Sequence, residues 1–251
     1  MPHPRRHPLF DLSGQVALVT GGSRGLGRQM ALAFADAGAD VIISSRKADA
    51  CEAVADEVRA RGRRAAAMPA HAGRWDEMDA LAERAWREFG RVDLLVANAG
   101  MGPMTPSHEV SEALFDSVVS LNFKGPFRLI ANIADRMARG HGGSVIATSS
   151  IAALEPMPAV VAYAGAKAAL NAMVVGMAAE YAPSVRINAI AAGPFLTDIA
   201  KAWTEEARER APNALGRPGR PEEIVTTALW MASPASSFVT GTVVRCDGGR
   251  R

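Results

Sequence analysis

Two side chains with acid–base chemistry, Tyr163 and Lys167, stand four residues apart in a stretch with the composition of a helix. Residues at this spacing lie on one face of a helix, so the phenol and the ammonium group are predicted to lie close together. A free tyrosine has a pKa of about 10, and a nearby positive charge favours the phenolate, so Lys167 is expected to lower the pKa of Tyr163. Such a pair is more often structural than catalytic, and its interpretation depends on the rest of the chain.

A glycine-rich loop precedes the first predicted helix. It follows the apolar run 16–20 and contains the candidate phosphate-binding residues Gly21, Ser23, Arg24, Gly25, Leu26 and Gly27. Glycines permit a tight turn and the close approach of a ligand, and the amino terminus of the helix offers free N–H groups and a positive dipole end to a phosphate. Such glycines can also form no more than a turn, but the position between a strand and a helix favours a dinucleotide site.

The residues after the second predicted strand, Ser45 and Arg46, bear on which dinucleotide is bound. A carboxylate there would accept from the ribose 2′-hydroxyl of NAD(H) and repel the 2′-phosphate of NADP(H). This chain has no carboxylate at that point, and Arg46, together with Arg24, offers guanidinium groups that suit a phosphate. The pattern favours NADP(H) over NAD(H), the alternative being two arginines that only face solvent.

Short apolar runs alternate with helical stretches along the chain. Predicted strands cover residues 16–20, 41–44, 65–70, 94–97, 145–148, 185–191 and 242–246, and predicted helices cover 25–37, 49–62, 75–89, 111–139 (bent at Gly125-Pro126), 159–182 and 221–232. Runs that are apolar throughout are typical of strands buried on both faces of a parallel sheet. The alternation predicts an α/β fold, a doubly wound parallel sheet with helices on both faces.

Length and composition suit one globular domain, and they argue against several other classes of protein. The 251 residues are 49% hydrophobic and 22% charged, with a formal net charge of +2, so neither nucleic acid nor a membrane surface is expected as a partner. Two cysteines indicate a reducing compartment, and the five histidines show no metal-ligand spacing. The basic first residues are not followed by an apolar segment, and no long uncharged apolar run occurs. We therefore expect a flexible tail over 1–12, one dinucleotide-binding catalytic domain over 13–251, and a cytoplasmic location.

From about Val16 to Gly249 the sequence resembles the short-chain dehydrogenase/reductase family. The motifs that carry the resemblance are Thr20 through Gly27, Ala97-Asn98-Ala99-Gly100, Leu121-Asn122, Ser150, Tyr163 with Lys167, and Asn188 through Thr197. The interval from Ser150 to Tyr163 is the one usual in that family, and it fits better than the interval from Ser149. The resemblance implies a single-domain Rossmann-like fold and hydride transfer between a nicotinamide and a ketone or secondary alcohol.

The resemblance also implies roles for four catalytic residues. Tyr163 would be the general acid/base, and Ser150 would hydrogen-bond the substrate oxygen. Lys167 would hold the nicotinamide ribose and tune Tyr163, and Asn122 would hold a water that links Lys167 to solvent. Further residues expected to contact the cofactor are Asn98, Ala99 and Gly100 near the adenine-side ribose, and Gly193, Pro194, Phe195 and Thr197 on the loop that meets the carboxamide and pyrophosphate.

The sequence departs from the family at two points. His71, followed by Ala72, stands where an aspartate usually binds the adenine amine, so an imidazole or the local backbone would have to replace it. The usual Pro-Gly after the sixth strand reads Ala192-Gly193-Pro194, which predicts a slightly looser loop.

Substrate specificity is expected from loops beyond the carboxyl ends of the strands, at 101–108, 152–160 and 195–215. Their apolar residues, which predict a rather apolar small-molecule ketone or alcohol unless they pack among themselves or at a subunit contact, are Met101, Met104, Leu154, Met157, Phe195 and Trp203. The apolar segment 173–178 predicts a homotetramer formed through helices 111–139 and 159–182.

Other functions remain open, both within the short-chain dehydrogenase/reductase family and outside enzymes. Within the family, a 3-oxoacyl-carrier-protein reductase or a sugar-alcohol dehydrogenase fits the same motifs. A non-catalytic NADP(H)-binding redox sensor would need the glycine loop but not the set Asn122, Ser150, Tyr163 and Lys167, so the presence of all four favours an enzyme.

Overall fold

The computed structural model describes residues 8–198, 200 and 203–249. Seven strands form one parallel sheet: β1 (Val16–Thr20), β2 (Asp40–Ser44), β3 (Ala65–Ala67), β4 (Leu94–Ala97), β5 (Gly143–Ser150), β6 (Val185–Ala192) and β7 (Val243–Cys246). Their order across the sheet is β3-β2-β1-β4-β5-β6-β7. The chain builds the sheet outward in one direction from β1 and then in the other from β4, which confirms the predicted doubly wound fold.

Helices cover both faces of this sheet. Their bounds are α1 (Gly25–Asp36), α2 (Ala48–Arg59), α3 (Trp75–Phe89), α4 (Glu112–Val119), α5 (Gly125–Arg139), α6 (Val161–Glu180), α7 (Glu205–Glu209) and α8 (Val225–Ala232). The apolar sides of α3, α5 and α6 pack on one face, and those of α1, α2 and α8 pack on the other. The central strands β1 and β4 are buried throughout, as their apolar sequences predict.

The edge strand β3 is shorter than the predicted strand 65–70. Beyond Ala67 the N–H groups of Met68 and Ala70 still donate to the carbonyls of Ile43 and Ser45. In a parallel pair alternate residues bond one neighbour, so Pro69 lies toward the open edge of the sheet, where its missing N–H removes no bond to β2. The two bonds keep the end of β3 beside the end of β2.

The predicted bend at Gly125-Pro126 takes a different form. Residues Ser120–Lys124 form a π-helical turn between α4 and α5, and Pro126 lies in the first turn of α5. A proline at 126 has no N–H for the carbonyl of Asn122 four residues earlier, so the regular ladder cannot pass through this point. Gly125 is required for packing, because a Cβ there would collide with the carbonyl oxygen of Ala72.

The predicted flexible tail extends too far into the chain. Residues 1–7 lie outside the described part, but Pro8–Phe10 form a 3-10 turn and Leu12 is fully buried. The N–H of Leu12 donates to the carbonyl of Ala37 at 2.9 Å. Leu12 therefore belongs to the folded domain, in the cluster formed by α1 and α2.

Helix α6 has the length and mean hydropathy of a membrane-crossing helix, a property that core helices share. Much of the segment 173–178 lies inside the chain's own core, because Met173, Val174, Met177 and Ala178 are buried against the sheet. Of that apolar set only Val175 is exposed. The segment therefore does not form the apolar outer surface on which the tetramer was predicted.

Candidate active site

The predicted functional residues lie at one edge of the sheet, where the parallel strands have their carboxyl ends. The glycine loop follows β1, Asn98 follows β4, Ser150 ends β5, and Gly193 follows β6. The strand order reverses between β1 and β4, and the crevice at such a switch point is where open α/β sheets bind ligands.

The loops after β1 and β4 are joined by a hydrogen-bond network around Thr20 and Asn98. The Thr20 hydroxyl accepts from the N–H groups of Asn98 at 3.0 Å and Ala99 at 3.2 Å. The Asn98 side chain donates to the carbonyl of Thr20 at 3.1 Å and accepts from the hydroxyl of Thr148 at 3.2 Å. Asn98 therefore holds the two loops and β5 together, which is a supporting role.

The glycine loop has the form that a dinucleotide requires. Gly21 has φ +63°, and a Cβ at Gly27 would collide with the carbonyl oxygen of Gly21 and lie 2.5 Å from Nδ2 of Asn98. No side chain caps the amino terminus of α1, and its first turn contains no acidic residue. The free N–H groups there can accept an anion, so the residues present fit the pyrophosphate of a dinucleotide.

The end of β2 presents Ser45 and Arg46 beside this loop. The Ser45 hydroxyl lies 3.1 Å from the thiol sulfur of buried Cys51, and this contact fixes the position of the Ser45 side chain. Arg46 is exposed and has no hydrogen-bond or ion-pair partner among the described residues. Its guanidinium group is therefore available for a phosphate.

Arg24 is placed differently from Arg46. Its guanidinium group donates to Asp198 at 3.1 Å, on the loop that follows β6. Thr197 lies against Gly25 in the same region, since a Cβ at Gly25 would be 3.4 Å from the Thr197 methyl group. The loop after β6 thus packs on the glycine loop, and a phosphate at Arg24 would compete with Asp198.

His71 and Ala72 follow β3, and the ring of His71 folds back on its own turn. The N–H of Gly73 donates to Nδ1 at 3.1 Å, and the backbone N–H of His71 donates to Glu77 at 2.6 Å. With Nδ1 acting as acceptor, the other ring nitrogen carries the proton and can only donate. The imidazole therefore cannot accept from an adenine amine as an aspartate would. Ala72 is buried.

Tyr163 and Ser150 form the centre of the catalytic edge. Oγ of Ser150 accepts from the N–H of Ala152 at 3.1 Å. Burial raises the pKa of Tyr163, and the neighbouring Ser150 hydroxyl opposes that rise. The phenol is therefore held in its protonated form at neutral pH, ready to donate a proton. Ser149 is also buried, but its hydroxyl has no partner among the described residues.

Lys167 is 3% exposed and donates to the carbonyl of Thr148 at 2.7 Å. Its Nζ lies 5.9 Å from the centre of the Tyr163 ring. Burial lowers the pKa of Lys167 from 10.5 to about 8. Lys167 is not the group that lowers the pKa of Tyr163, although the sequence predicts that it is; the neighbouring Ser150 hydroxyl has that effect, against the larger rise caused by burial. A buried lysine without a carboxylate partner in the described part of the chain is costly and typical of functional sites.

Asn122 lies in the π-helical turn and is fully buried. Its side-chain nitrogen donates to the carbonyls of Met101 at 2.8 Å and Val118 at 2.9 Å, and its oxygen accepts from the N–H of Met101 at 3.3 Å. Through these three hydrogen bonds, the side-chain amide of Asn122 fixes the loop after β4. Gly100 lies between Asn122 and Lys167.

The loop after β6 is anchored at several points. The N–H of Gly193 donates to Cys246, and the carbonyl of Pro194 accepts from Gly219 at 2.9 Å. Phe195 is 7% exposed and packs against Gly219, so its side chain belongs to the core and does not line a substrate pocket. These contacts hold the loop in place, so the changed position of the proline does not give the looser loop that the sequence predicts here.

The other apolar residues expected near the substrate are more exposed. Met104 and Leu154 are 74% and 43% exposed, whereas Met101, Met157 and Trp203 are partly buried. Among the described residues no group of three or more His, Cys, Asp or Glu side chains is placed to hold a metal ion.

The supporting roles of two residues were not predicted from the sequence. Thr20 bridges the loops after β1 and β4. The carbonyl of Thr148 accepts a hydrogen bond from Lys167, and the hydroxyl of Thr148 donates one to Asn98. Both are polar residues at the ends of otherwise apolar strands, and that position was the available sequence signal.

The site combines a proton donor, a hydroxyl partner, a buried amine and a cleft for an anion. It can hold a substrate oxygen between Tyr163 and Ser150, and it can protonate that oxygen as negative charge develops on it.

Known proteins are similar to this chain in sequence and fold. The sequence profile described as short chain dehydrogenase matches residues 15–208. The 7alpha-hydroxysteroid dehydrogenase of Escherichia coli K12 is 35% identical over 242 residues, covering 95% of this chain and 94% of the relative. A solved structure of 7alpha-hydroxysteroid dehydrogenase with NADH and 7-oxo glycochenodeoxycholic acid has a TM-score of 0.91 and 34% identity, covering 98% of each chain.

A further solved structure is a 3-oxoacyl (acyl-carrier-protein) reductase from Agrobacterium tumefaciens with NADP bound. It has a TM-score of 0.90 and 32% identity, covering 96% of each chain. The fold, the strand-end site and these similarities agree: the chain belongs to the short-chain dehydrogenase/reductase family, whose members are oxidoreductases of alcohols and ketones.

Proposed function

We propose that this protein is an NADPH-dependent reductase of small-molecule ketones, with Tyr163 as the proton donor, and that it oxidises secondary alcohols in the reverse direction. The observation that carries the proposal is the placement of Tyr163 beside Ser150 at the cofactor edge of the sheet, with Lys167 buried nearby.

The residues would act as follows. The substrate carbonyl accepts hydrogen bonds from Tyr163 and Ser150, which polarises it and orients the carbon toward the nicotinamide. NADPH, when bound, supplies the hydride to that carbon. Tyr163 gives its proton to the developing alkoxide, so a ketone, NADPH and that proton become a secondary alcohol and NADP⁺, and Tyr163 is left as a phenolate until a proton returns to it. Lys167 then lies where it can bind the nicotinamide ribose and return a proton toward Tyr163.

The choice of NADPH rests on charge at the end of β2. Arg46 is exposed with no partner among the described residues, and no carboxylate stands at Ser45 to repel a phosphate. Arg24 gives weaker support, because it pairs with Asp198. Similar proteins do not decide the matter, because one solved neighbour holds NADH and another holds NADP.

The pKa of Tyr163 bears on the direction of the reaction. Because burial raises that pKa above its ordinary value of 10.0, the phenol stays protonated at neutral pH and is suited to reduction. Alcohol oxidation needs the phenolate as base, so its rate should rise with pH above neutrality.

We also propose that the protein forms a homotetramer, on a different surface from the segment 173–178. The exposed apolar side chains on the outer helices that would meet a second copy are Phe115, Phe127, Val161 and Val175. Light scattering at micromolar concentration should give four subunit masses, and a value of one subunit mass would contradict the assembly.

A turnover screen tests the proposed function. NADPH oxidation is followed with a panel of apolar ketones, sugar ketones and a 3-oxoacyl thioester, and NADP⁺ reduction with the matching alcohols. We expect activity with apolar ketones and tighter binding of NADPH than of NADH. Equal binding of the two cofactors would contradict the cofactor assignment. Activity confined to the thioester or to the sugar ketones would show that the substrate belongs to that class and is not an apolar ketone.

A further inference from the structure

The turn after β3 contains two neighbouring hydrogen-bond donors. Nδ1 of His71 accepts from the N–H of Gly73 at 3.1 Å, so the proton of the neutral ring is on Nε2. That Nε2–H group and the main-chain N–H of the next residue, Ala72, have no hydrogen-bond partner within the described part of the chain. Ala72 is only 8% exposed, and an N–H group in so buried a residue is normally paired. Both donors are therefore available to a ligand.

Acceptors in the same turn are already engaged. The carboxylate of Glu77 accepts from the main-chain N–H of His71 at 2.6 Å and from the Arg74 guanidinium group at 3.2 Å. The carbonyl of His71 accepts from the N–H of Arg74 at 2.9 Å. The carbonyl oxygen of Ala72 faces helix α5, since a Cβ at Gly125 would collide with it. The turn therefore offers donors to a ligand, while these acceptors are used within the fold.

The position of this turn matches the base of the proposed dinucleotide. The sheet order β3-β2-β1 places the end of β3 next to the end of β2, where the N–H of Ala70 donates to the carbonyl of Ser45 at 3.0 Å. The glycine loop after β1 fits the pyrophosphate, and Arg46 after β2 is proposed for the 2′-phosphate of the ribose. The base is bonded to that same ribose, so we expect it at the next strand end, that of β3.

Purines differ in the edge that two neighbouring donors can bind. Adenine presents an acceptor at N7 beside the donor amine at C6, whereas a 6-oxopurine presents two neighbouring acceptors, O6 and N7. Two donors match the second pattern, and a donor that faced the amine would leave both groups unpaired. We infer that His71 is a specificity-determining residue for the base of the cofactor, and that this site favours a C6 oxygen over the C6 amine. The inference rests on the proposed binding of NADPH.

The test compares NADPH with deamino-NADPH, in which hypoxanthine replaces adenine and the rest of the molecule is unchanged. Fluorescence titration of the reduced nicotinamide measures both dissociation constants without turnover. The wild-type protein should bind deamino-NADPH about 2- to 10-fold more tightly, the factor that one additional neutral hydrogen bond supplies. NADH and deamino-NADH should give the same ratio, because the change at C6 does not involve the 2′-phosphate.

His71→Asp replaces the donor with an acceptor. An aspartate can accept from the N–H group two residues further on, so the bond from Gly73 and the shape of the turn are kept. The ratio should reverse, with NADPH bound about 2- to 10-fold more tightly than deamino-NADPH. Arg74→Ala is the matched control in the same turn. The Arg74 side chain is 67% exposed and pairs with Glu77, so its removal should leave the wild-type ratio unchanged.

The inference fails if the wild-type protein binds NADPH as tightly as deamino-NADPH, or more tightly. Equal ratios in the wild type and His71→Asp would also overturn it, since another group would then recognise the base. A preference for NADH over NADPH would contradict the proposed cofactor alone, because the NADH pair still tests the base. Binding of none of the four dinucleotides would contradict the proposed function itself.

Discussion

The two ends of the cofactor cleft are built in contrasting ways. At the nicotinamide end, Asn122 and Lys167 are 0% and 3% exposed, and hydrogen bonds to backbone carbonyls fix both side chains. At the ribose-phosphate end, Arg46 is exposed and the Arg24 side chain is 70% exposed. The groups proposed for the chemical step are held by the core, whereas the groups proposed to choose the cofactor stand in solvent. Changes at the first end should have large effects, and changes at the second should have smaller effects that depend on salt.

The largest effect is expected from Lys167→Met, which keeps the side-chain length and removes the amine. It should weaken NADPH binding and lower kcat as well, because Lys167 is placed to serve the ribose and the proton supply together. The loss in kcat/KM should reach about 10³-fold or more. Steady-state kinetics with NADPH titration measure both parts, and a variant that retained either binding or rate in full would contradict the shared role.

Ser150→Ala should have the next largest effect, and on rate alone. Removing one hydrogen-bond donor to a developing oxyanion costs about 10²–10³-fold in kcat. The affinity for NADPH should be unchanged, as measured by fluorescence titration. Ser149→Ala is the matched control and should keep most of the activity. The reverse result would assign the catalytic hydroxyl to Ser149.

Arg46→Ala tests the solvent-exposed end. It should weaken NADPH binding by about 1.5–3 kcal/mol, the contribution of a hydrogen bond to a charged group, and leave NADH binding unchanged. Arg24→Ala should cost less, because Arg24 already pairs with Asp198. Lys47→Ala removes a neighbouring exposed cation and should change neither constant.

The preference for NADPH should shrink as ionic strength rises, because exposed charges are screened. Arg46→Asp should invert it. If Arg46→Asp still bound NADPH more tightly than NADH, a group other than Arg46 would have to recognise the ribose 2′-phosphate.

The smallest effect concerns stability and pH. Burial lowers the pKa of Lys167 to about 8, so the unfolded chain binds that proton more tightly than the folded one. Protonation therefore favours unfolding, and the free energy of unfolding should increase as pH rises through 8. Between pH 7 and 8.5 the gain in the wild type relative to Lys167→Met should be about 1 kcal/mol. Urea denaturation at both pH values measures it, and parallel curves for the two proteins would contradict a lowered pKa.

The sequence predicted the sheet well because strands buried on both faces leave an unmistakable apolar run, as in β1 and β4. It was less reliable where tertiary packing decides the outcome. The strand β3 ends at Ala67 instead of residue 70, and the apolar residues Met173 and Val174 proved to be core instead of surface. Local periodicity does not distinguish an inward apolar residue from an interface residue.

The candidate site shows the same limit. The positions of Tyr163, Ser150, Lys167 and Asn122 at one edge follow from motif order and strand direction. The pairing of Arg24 with Asp198 joins residues far apart in the chain, and no local pattern indicates it. The bond from Lys167 to Thr148 likewise depends on how α6 packs on β5.

The central claim is that the Tyr163 phenol supplies the proton while the rest of the site binds the cofactor. Tyr163→Phe removes only the hydroxyl, so the ring still packs. We predict that kcat for ketone reduction falls by about 10²–10⁴-fold while the dissociation constant for NADPH stays within about twofold of the wild-type value. A variant that kept more than about a tenth of the wild-type rate would contradict this account, because losing general-acid help cannot leave so much.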